Sequence, residues 1–450
     1  MSQTATISQP ETGPRTVRLH NGQVFTFNSN VSTDLEKIPV IDASRIWSER
    51  LEDRQAVAEE IREASRTIGF FYLLNHGIDE KYAVECFAQA KRFFALPEEK
   101  KMEVWTGLLP SEYAGYHPME AYNRNGWKHQ DLSEAFNWPY DPKEDPEATD
   151  FSEPSSSLWP SNIPGFREGL YAYHTQLLRL ARRLCGIFAL ALHLPEDYFD
   201  EYIRRPEAGM RILHYPEQEH SVDEQNGIGA HTDVECFTIV TQDSAGGLEV
   251  LSKSGNWVKA EPIPGSFVVN IADCFMRQTN DFFVSTIHRV INKSGKERYS
   301  APFFFGFNRK KLLEPVPTCV SEENPMKYPV MTGGEYYKFR ARMVKGPGKE
   351  AKDTKAEQLQ EQCLAQRRSI RTSTAKPSMN LIDEAQLRQE PTDRDIGANM
   401  DSRDSRGVLQ RNPGEGPDGS ITSKSEARTS QGFKVGDEGD QHDLAASKQP

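Results

Sequence analysis

The sequence predicts a mainly-β fold with packed helices, built on a double-stranded β-helix, or jelly-roll, core. Between residues 210 and 308, short runs rich in Val, Ile, Thr and aromatic residues alternate with Gly, Asn, Asp, Ser and Pro, which is typical of antiparallel strands joined by turns. The region before them carries apolar residues at helical spacing instead. We therefore expect an antiparallel sandwich with helices packed against one of its sheets.

The strongest helical pattern lies between residues 170 and 187. Its apolar residues step by three and four and form a single stripe, which we expect to pack on a sheet and to end before Pro195. The stripe consists of Leu170, Tyr173, Leu177, Leu180, Leu184 and Ile187. Weaker patterns predict helices around residues 57–68 and 87–94. The stretch from about residue 108 to 160 is rich in Tyr, Trp, Pro and Asn, and we expect it to form long loops over a pocket.

Composition changes along the 450 residues. Hydrophobic residues make up only 37% of the chain, and the shortage lies after residue 345, where charged and small polar residues dominate. Such a segment cannot bury enough apolar surface to offset the entropy lost on ordering. The predicted organisation is a flexible N-terminal segment (1–36), a helical and loop region (37–160), a jelly-roll core (161–345) and a disordered tail (346–450).

Charge and cysteine usage restrict the partners and the compartment. A net charge of −12 without a basic patch argues against a nucleic-acid partner. The N-terminus lacks the apolar core of a signal peptide, and the longest apolar run, 185–194, is too short to span a membrane. Six cysteines without paired spacing indicate reduced thiols and a cytoplasmic protein. We expect Cys236, which is close in sequence to His231 and Asp233, to be a buried spectator thiol.

Three residues have the chemistry of a metal site. His231 and Asp233 alternate in "GAHTDVECFTIV", so an extended backbone would point both side chains the same way. His288 lies in the strand-like run "STIHRVI". Two imidazoles and one carboxylate on one face of a metal are the ligand set of non-haem Fe(II) oxygenases. Taken alone, a His-x-Asp pair is also common in ordinary turns. We expect His117 and His129 to be loop or hydrogen-bonding residues rather than ligands.

A fourth element follows His288 by ten residues. Arg298 and Ser300 alternate at the start of the apolar run "YSAPFFFGF", and a guanidinium binds a carboxylate through two parallel hydrogen bonds. The pair predicts an anchor for an acidic co-substrate; the alternative for Arg298 is an exposed ion pair. We interpret "KSGKE", between His288 and Arg298, as a hairpin that places both on neighbouring antiparallel strands. In the aromatic run 303–307, alternate residues are expected to face core and cavity.

From about residue 37 to 345 the chain resembles the 2-oxoglutarate and Fe(II)-dependent dioxygenase superfamily, in the branch that includes isopenicillin N synthase. The matching segments include "GFFYLLNHGI", "RFFALPEEKK", "LHYPEQ", "GIGAHTDVECFTIVTQDSAGGLEV", "PGSFVVNIAD" and "TNDFFVSTIHRVINKSGKERYSAPFFF". The resemblance implies that His231, Asp233 and His288 bind iron. It also implies that Arg298 and Ser300 bind the distal carboxylate of 2-oxoglutarate.

The chain departs from its relatives at two positions. Where relatives often have an Asn two residues before the Tyr that matches Tyr215, this sequence has Leu213. Tyr215 is therefore the only residue of that strand carried over to co-substrate binding. Glu235 stands where many relatives have a small residue, and alternation places it on the same side as Asp233. It either contacts a polar part of the substrate or faces a solvated rim.

The resemblance implies a catalyst that uses Fe(II), 2-oxoglutarate and O2. We expect it to hydroxylate or desaturate a small organic metabolite, as in secondary metabolism, with release of succinate and CO2. No catalytic residue is predicted beyond the metal site. Two alternatives stay open: an oxidase similar to isopenicillin N synthase that uses O2 without 2-oxoglutarate, and a non-catalytic jelly-roll binding protein. Neither the oligomeric state nor the identity of the substrate follows from the sequence.

Overall fold

The computed structural model describes residues 15–18, 24–27, 37–109, 113–121, 130–151, 157–218 and 225–345. The predictions of a flexible N-terminal segment (1–36) and of a disordered tail (346–450) fall mostly outside these ranges and stay predictions. Within the described ranges, no helix is both long and apolar enough to cross a membrane.

The described strands are spread from residue 15 to residue 306. They are β1 (Arg15–Arg18), β2 (Val24–Phe27), β3 (Val40–Asp42), β4 (Phe70–Leu74), β5 (Gly115–His117), β6 (Glu134–Trp138), β7 (Glu207–Tyr215), β8 (Ile228–His231), β9 (Phe237–Gln242), β10 (Leu248–Leu251), β11 (Trp257–Lys259), β12 (Phe267–Ile271), β13 (His288–Val290) and β14 (Arg298–Gly306). The described helices are α1 (Leu51–Thr67), α2 (Glu80–Phe94), α3 (Glu98–Lys101), α4 (Phe166–Ala191), α5 (Asp200–Ile203), α6 (Asp273–Gln278) and α7 (Gly333–Lys345).

Two sheets form the core of the fold. The large sheet has the strand order β3-β4-β12-β9-β14-β7-β6-β5, and the small sheet has the order β11-β10-β13-β8. The pairs are antiparallel apart from β3 with β4. Strands β1 and β2 form a separate hairpin. Two mainly antiparallel sheets with helices on one side confirm the predicted mainly-β fold.

The large sheet separates two hydrophobic cores. We call the side that meets the small sheet the inner face and the side that meets the helices the outer face. On the inner face, residues of the large sheet such as Tyr72, Leu213 and Val268 pack with Leu248 and Val290 of the small sheet. The outer face carries the larger core under α1, α2 and α4. Alternate residues of a strand point to opposite sides, so each strand of the large sheet contributes to both cores.

Helix α4 confirms the strongest helical prediction. It spans Phe166–Ala191, and all six residues of the predicted stripe are buried. The helix begins after Gly165, whose φ of 80° is a left-handed conformation that favours glycine. It ends at Ala191, before Pro195 as predicted, and His193, two residues further on, has a left-handed φ of 57° that turns the chain away from the helix. Helices α1 and α2 cover the other two predicted helical regions.

The prediction of long loops between residues 108 and 160 was partly wrong. This stretch contains β5 and β6, which extend the large sheet beyond β7. The aromatic residues that suggested loops are strand residues facing the outer core, including Tyr116, Phe136 and Trp138. Aromatic side chains suit a pleated, half-buried surface, so the same composition was compatible with strands.

The predicted hairpin between His288 and Arg298 was also wrong. His288 begins β13 in the small sheet, whereas Arg298 begins β14 in the large sheet. The connection therefore crosses from one sheet to the other. The functional expectation survives, because side chains on the inner faces of two opposed sheets point into the same interior.

Candidate metal centre and co-substrate site

The three predicted metal ligands come together between the sheets. His231 ends β8 and pairs directly with His288 of β13, and their ring centroids are 4.2 Å apart. Asp233 Oδ1 lies 3.7 Å from Nε2 of each histidine. One ligand atom from each residue lies within 4.8 Å of the others, and all three residues are buried. The cluster thus presents two imidazole nitrogens and one carboxylate oxygen to a common point.

Hydrogen bonds orient the two imidazoles. His231 Nδ1 lies 2.7 Å from the Gly229 carbonyl oxygen, and His288 Nδ1 lies 3.2 Å from the Thr286 carbonyl oxygen. A carbonyl oxygen can only accept, so Nδ1 must carry the proton in each ring. In a neutral imidazole this leaves the Nε2 lone pair available to a metal ion, which is the arrangement common in metal-ligating histidines.

Asp233 is oriented in the same way. Its Oδ2 accepts hydrogen bonds from Thr238 Oγ1 at 2.6 Å and Asn270 Nδ2 at 2.9 Å. Its Oδ1 is buried and has no hydrogen-bond partner among the described residues. A buried carboxylate oxygen without a donor is costly unless a cation offsets it. The donor set therefore fits a divalent metal, and two histidines with one carboxylate suit Fe(II).

The loop that carries Asp233 is held at its backbone by the start of α6. Asp273 N donates to the Asp233 carbonyl at 2.9 Å, and Cys274 N donates to the Val234 carbonyl at 3.0 Å. The Asp273 carboxylate also accepts from Thr232 Oγ1 at 3.0 Å. Thr232, which lies between His231 and Asp233, and Val234, which follows Asp233, are therefore both held by the start of α6.

Helix α7 closes this network from the C-terminal side. Arg340 Nη1 donates to Asp273 Oδ2 at 2.5 Å and to Tyr336 Oη at 2.9 Å, and Tyr336 Oη donates to the Val234 carbonyl at 3.1 Å. Ser285 Oγ also donates to Asp273 Oδ1. Arg340 and Asp273 are both buried. The helix therefore supports the metal loop through charge-assisted hydrogen bonds.

Arg298 and Ser300 lie on the inner face, as predicted, and Arg298 is not an exposed ion-pair residue: it is 1% exposed. Its Nη1 donates to Ser300 Oγ at 3.2 Å, its Nη2 donates to Gln242 Oε1 at 3.3 Å, and its Nε donates to the Gly246 carbonyl. These contacts hold a buried cation and a hydroxyl side by side. Such a pair is suited to bind a carboxylate.

Tyr215 joins this pair from the neighbouring strand. It pairs in register with Arg298, its ring centroid lies 4.6 Å from the guanidinium carbon, and its hydroxyl lies 3.3 Å from Ser300 Oγ. Leu213 pairs with Ser300 and contributes to the inner core. The strand thus supplies one polar group to this end of the interior.

Glu235 does not lie on a solvated rim. Its side chain is 0% exposed, and its Cγ lies 3.1 Å from the position that a Cβ would take at Gly306. The pKa of the nearby Tyr337 hydroxyl is raised well above its usual value by burial and then by the charge of Glu235. A contact between Glu235 and substrate stays a prediction. Cys236 is buried as expected, and burial raises the pKa of its thiol.

The described cysteines are all buried and free, as the sequence suggested. His117 is a hydrogen-bonding residue of β5, since its Nε2 lies 2.9 Å from Asn137 Nδ2. His129 lies outside the described residues. A cavity of about 360 Å³ is lined by residues such as Tyr173 and Phe267 of the outer core and by Gln242, whose Oε1 accepts from Arg298.

The sequence did not reveal the residues that support the ligands. Thr238 and Asn270 come from β9 and β12, and Asp273 and Arg340 are 67 positions apart in the chain. In the sequence, the position of Asn270 and Asp273 within the apolar run "FVVNIADCF" hinted at buried polar contacts, whereas Arg340 gave no such sign. Which of them meet depends on the strand register and on where α7 packs.

Comparison with known proteins agrees with this geometry. Residues 38–162 match the family model described as non-haem dioxygenase in morphine synthesis N-terminal, and residues 206–307 match that of the 2OG-Fe(II) oxygenase superfamily. The chain is 36% identical over 350 residues to the 2-oxoglutarate-Fe(II) type oxidoreductase ppzC of Metarhizium majus. The matched region covers 72% of this chain and 93% of that protein.

Solved structures give the same result. A full-length Neurospora crassa protein, solved in complex with alpha-KG and thymine, has a TM-score of 0.61 and 28% identity, over 68% of this chain and 96% of that one. The rice dioxygenase for auxin oxidation has a TM-score of 0.55 and 26% identity, over 68% of this chain and 95% of that one. The chain thus belongs to the 2-oxoglutarate and Fe(II)-dependent oxygenase superfamily and is an oxidoreductase of the Fe(II) and 2-oxoglutarate type.

Proposed function

We propose that this protein binds Fe(II) through His231, Asp233 and His288 and uses 2-oxoglutarate to hydroxylate or desaturate a small organic metabolite. The observation that carries the proposal is the position of Asp233 Oδ1, 3.7 Å from both imidazole Nε2 atoms and without a hydrogen-bond donor among the described residues. Three donors on one side of a metal leave its other side for co-substrate and O2. The Neurospora crassa complex with alpha-KG and thymine supports a small-molecule substrate.

Each side chain has a separate task in this proposal. Arg298 and Ser300 bind the distal carboxylate of 2-oxoglutarate, and Tyr215 holds the Ser300 hydroxyl and covers the guanidinium. Thr238 and Asn270 fix the Asp233 carboxylate so that one oxygen faces the metal position. When bound, iron and 2-oxoglutarate supply the oxidising chemistry, in which O2 is consumed and succinate and CO2 are released. The protein contributes positioning and a site that excludes water.

The cysteines bear on where the protein works in the cell. Five described cysteines are buried and free, which supports the prediction of a cytoplasmic, reducing environment. We infer no nucleic-acid partner, since the net charge is −12.

The test is a coupled measurement on the full-length protein supplied with Fe(II) and 2-oxoglutarate in air. We expect succinate to form in step with O2 uptake, even without a prime substrate, at a slow rate. Uptake of O2 without succinate would support the oxidase alternative. If neither is detected while iron is bound in a 1:1 ratio, the catalytic proposal is wrong.

A further inference from the structure

We propose that the cavity at the end of β9 binds a neutral, mainly apolar ring compound with one oxygen acceptor, and that this ligand strengthens 2-oxoglutarate binding through Gln242. We call it the side cavity; it lies between the first turns of α2, the end of β9 and the loop 262–266. Its volume of about 360 Å³ is within the range of about 300–1,000 Å³ that is usual for small-molecule sites. The coupling rests on the function proposed above, whereas ligand binding in the side cavity does not.

The walls of the side cavity are mainly apolar and aromatic. Phe87 of α2, Tyr173 of α4 and Phe267 of β12 contribute aromatic rings. His76 stacks on Phe267, with ring centroids 3.9 Å apart and an angle of 19° between the two planes. Val84, another lining residue, is 60% exposed, so the wall formed by α2 extends to the protein surface. An apolar ring that enters the side cavity therefore loses its contact with water, which favours binding.

The side cavity also contains a hydrogen-bond donor that the protein does not use. The hydroxyls of Tyr173 and Thr241 are hydrogen-bonded to each other, and neither has another partner among the described residues. Two hydroxyls carry two protons, and the bond between them uses only one. Tyr173 is 0% exposed and Thr241 is 7% exposed, so the second proton needs an acceptor to offset its burial. An oxygen atom of a ligand in the side cavity would supply that acceptor.

The charges around the side cavity disfavour an anionic ligand. Of the described residues that line it, Asp79, Glu80 and Asp243 are acidic and none is basic. The N-terminus of α2 would attract an anion, but the Asp79 carboxylate already caps it by accepting from Lys81 N at 2.9 Å. Burial lowers the pKa of His76, so its imidazole is largely neutral at pH 7. A carboxylate would lie beside like charges, whereas a carbonyl or hydroxyl oxygen carries no charge.

The chain segment that lines the side cavity also holds the proposed 2-oxoglutarate anchor. Gln242 and Asp243 are both lining residues. Gln242 Oε1 accepts from Arg298 Nη2 at 3.3 Å, and Asp243 Oδ2 accepts from the backbone N–H of Tyr299 at 2.6 Å. Three residues further on, the Gly246 carbonyl accepts from Arg298 Nε. Residues 242–246 thus fix the position of the guanidinium, and the first three of them bound the side cavity.

These shared contacts give the coupling its sign. A ligand that packs against residues 242–244 favours the conformation in which Arg298 is held. The guanidinium then loses less freedom when it binds the distal carboxylate of 2-oxoglutarate. Coupling between two sites usually changes affinity by about 5- to 150-fold and is reciprocal, so 2-oxoglutarate must strengthen ligand binding by the same factor.

The test uses full-length protein loaded with Fe(II) under anaerobic conditions, and three probes of similar shape. Acetophenone is a neutral ring with one carbonyl oxygen, benzoate is an anionic counterpart, and ethylbenzene lacks the oxygen. Isothermal titration calorimetry gives the dissociation constants, and binding that Ala83→Leu removes is assigned to the side cavity. We expect acetophenone to bind there about 5-fold or more tightly than either other probe, the usual size for one hydrogen bond.

The variants separate the space of the side cavity from its donor. Ala83→Leu fills the cavity from α2 and should weaken acetophenone binding about 10-fold or more. Its matched control is Ala88→Leu, the same substitution at an exposed position of α2 outside the lining residues, which should bind acetophenone as wild type does. The double variant Tyr173→Phe/Thr241→Val removes both hydroxyls and keeps the shape, so it should bind acetophenone and ethylbenzene equally. Thr241→Val alone leaves the Tyr173 hydroxyl as a donor and should keep the preference.

The coupling is measured as the dissociation constant of 2-oxoglutarate, from its visible charge-transfer band with Fe(II), with and without saturating acetophenone. We expect acetophenone to lower this constant about 5-fold in wild type and in Ala88→Leu, the lower end of the usual range, and to leave it unchanged in Ala83→Leu. Gln242→Leu should still bind acetophenone but should lose most of the 5-fold effect, because the contact with Arg298 is removed.

Equal acetophenone affinity in wild type and folded Ala83→Leu would overturn the site, and so would a side cavity that prefers benzoate or ethylbenzene. If Ala83→Leu does not fold, the double variant decides, because a preference for acetophenone that survives the loss of both hydroxyls contradicts the proposed donor. Binding in the side cavity with unchanged affinity for 2-oxoglutarate would overturn the coupling. Failure of wild type to bind 2-oxoglutarate at all has a different meaning, since it contradicts the proposed function itself.

Discussion

The inner and outer faces of the large sheet differ in chemistry although the same strands build both. On β14, Ala301, Phe303 and Phe305 face outward into the core under the helices, whereas Ser300 and Phe304 face the metal cluster. The alternation of side chains in a strand makes this separation possible. Stability and catalysis can therefore be altered at neighbouring positions of one strand, and the variants below use that property.

The outer face is also more apolar than the inner face. Its core joins aromatic side chains of the sheet to α4, for example Phe303 against His174 with ring centroids 5.1 Å apart. The inner face instead holds buried polar residues such as Asn270 and Arg298, and the loop after β8 adds Asp233 to the same interior. Buried polar groups cost stability unless they are hydrogen-bonded. The larger outer core therefore contributes more hydrophobic burial to stability than the smaller inner core does.

The largest expected effect is at the metal. Asp233→Ala removes the only carboxylate of the ligand cluster, so we expect iron binding in a 1:1 ratio and succinate formation to be lost. Iron content after desalting and succinate yield are the measurements. The fold should persist, because Asp233 contributes to no hydrophobic core. Full activity with stoichiometric iron in this variant would falsify the ligand assignment.

On the outer face, Phe303→Ala should destabilise the protein by about 3–5 kcal/mol, the usual cost of removing a buried phenyl ring. The free energy of unfolding from denaturant titration measures this effect. Folded molecules of the variant should bind 2-oxoglutarate as wild type does. A large change in 2-oxoglutarate affinity with little loss of stability would mean that the two faces are not separable as described.

At the co-substrate end of the inner face, Arg298→Met should raise the KM for 2-oxoglutarate about 100-fold, or about 2.7 kcal/mol, because a charge-assisted pair with the distal carboxylate is lost. Steady-state succinate assays at varied 2-oxoglutarate measure it. Arg182→Met serves as the control, because Arg182 is a partly buried arginine of α4 that pairs with Asp145 at 2.6 Å, and its KM should equal that of wild type. An unchanged KM in Arg298→Met would place the anchor elsewhere.

Stability should depend on pH through a group of the outer core. Burial lowers the pKa of His174 from 6.5 to about 4, so the unfolded chain binds a proton there before the folded protein does. Stability from this group is complete above pH 6.5 and falls as the pH drops towards 4, by about 1.4 kcal/mol per pH unit. Between pH 6.5 and 5, wild type should lose about 2 kcal/mol more than His174→Gln. Parallel pH profiles of the two proteins would refute this prediction.

The smallest effect compares two threonines of β9. Thr238 faces inward and donates to Asp233 Oδ2, whereas Thr241 faces outward beside Tyr173. Thr238→Val should weaken Fe(II) binding about 10-fold, as is common when a group that orients a metal ligand is removed. Thr241→Val should leave it unchanged. Competition with a chelating dye gives both affinities, and equal values in the two variants would show that Thr238 has no role in the metal site.

The sequence predicted the chemistry of the site better than its surroundings. His231 and Asp233 could be placed together because strand alternation is a local rule, and Arg298 with Ser300 followed from the same rule. His288 was tied to them by ligand chemistry. The partner strand of each residue was not predictable, and the hairpin proposed between His288 and Arg298 failed for this reason. Register between distant strands depends on packing across the whole sheet.

The residues that support the metal ligands could not be predicted from local sequence patterns either. Arg340 lies on α7, and nothing near it in the chain indicates that it meets Asp273. Strands β5 and β6 were interpreted as loops because their Pro, Asn and Tyr content is common to turns and to edge strands. The contact between Arg211 and Asn137 depends on the pairing of β6 with β7, so it could be recognised only from the fold.

The central claim is tested most directly by anaerobic titration of the Fe(II)-loaded full-length protein with 2-oxoglutarate. A weak visible charge-transfer band that grows to saturation at one 2-oxoglutarate per iron is the predicted result, because the co-substrate must chelate a metal held by His231, Asp233 and His288. Stoichiometric iron with no band at saturating 2-oxoglutarate would contradict the account.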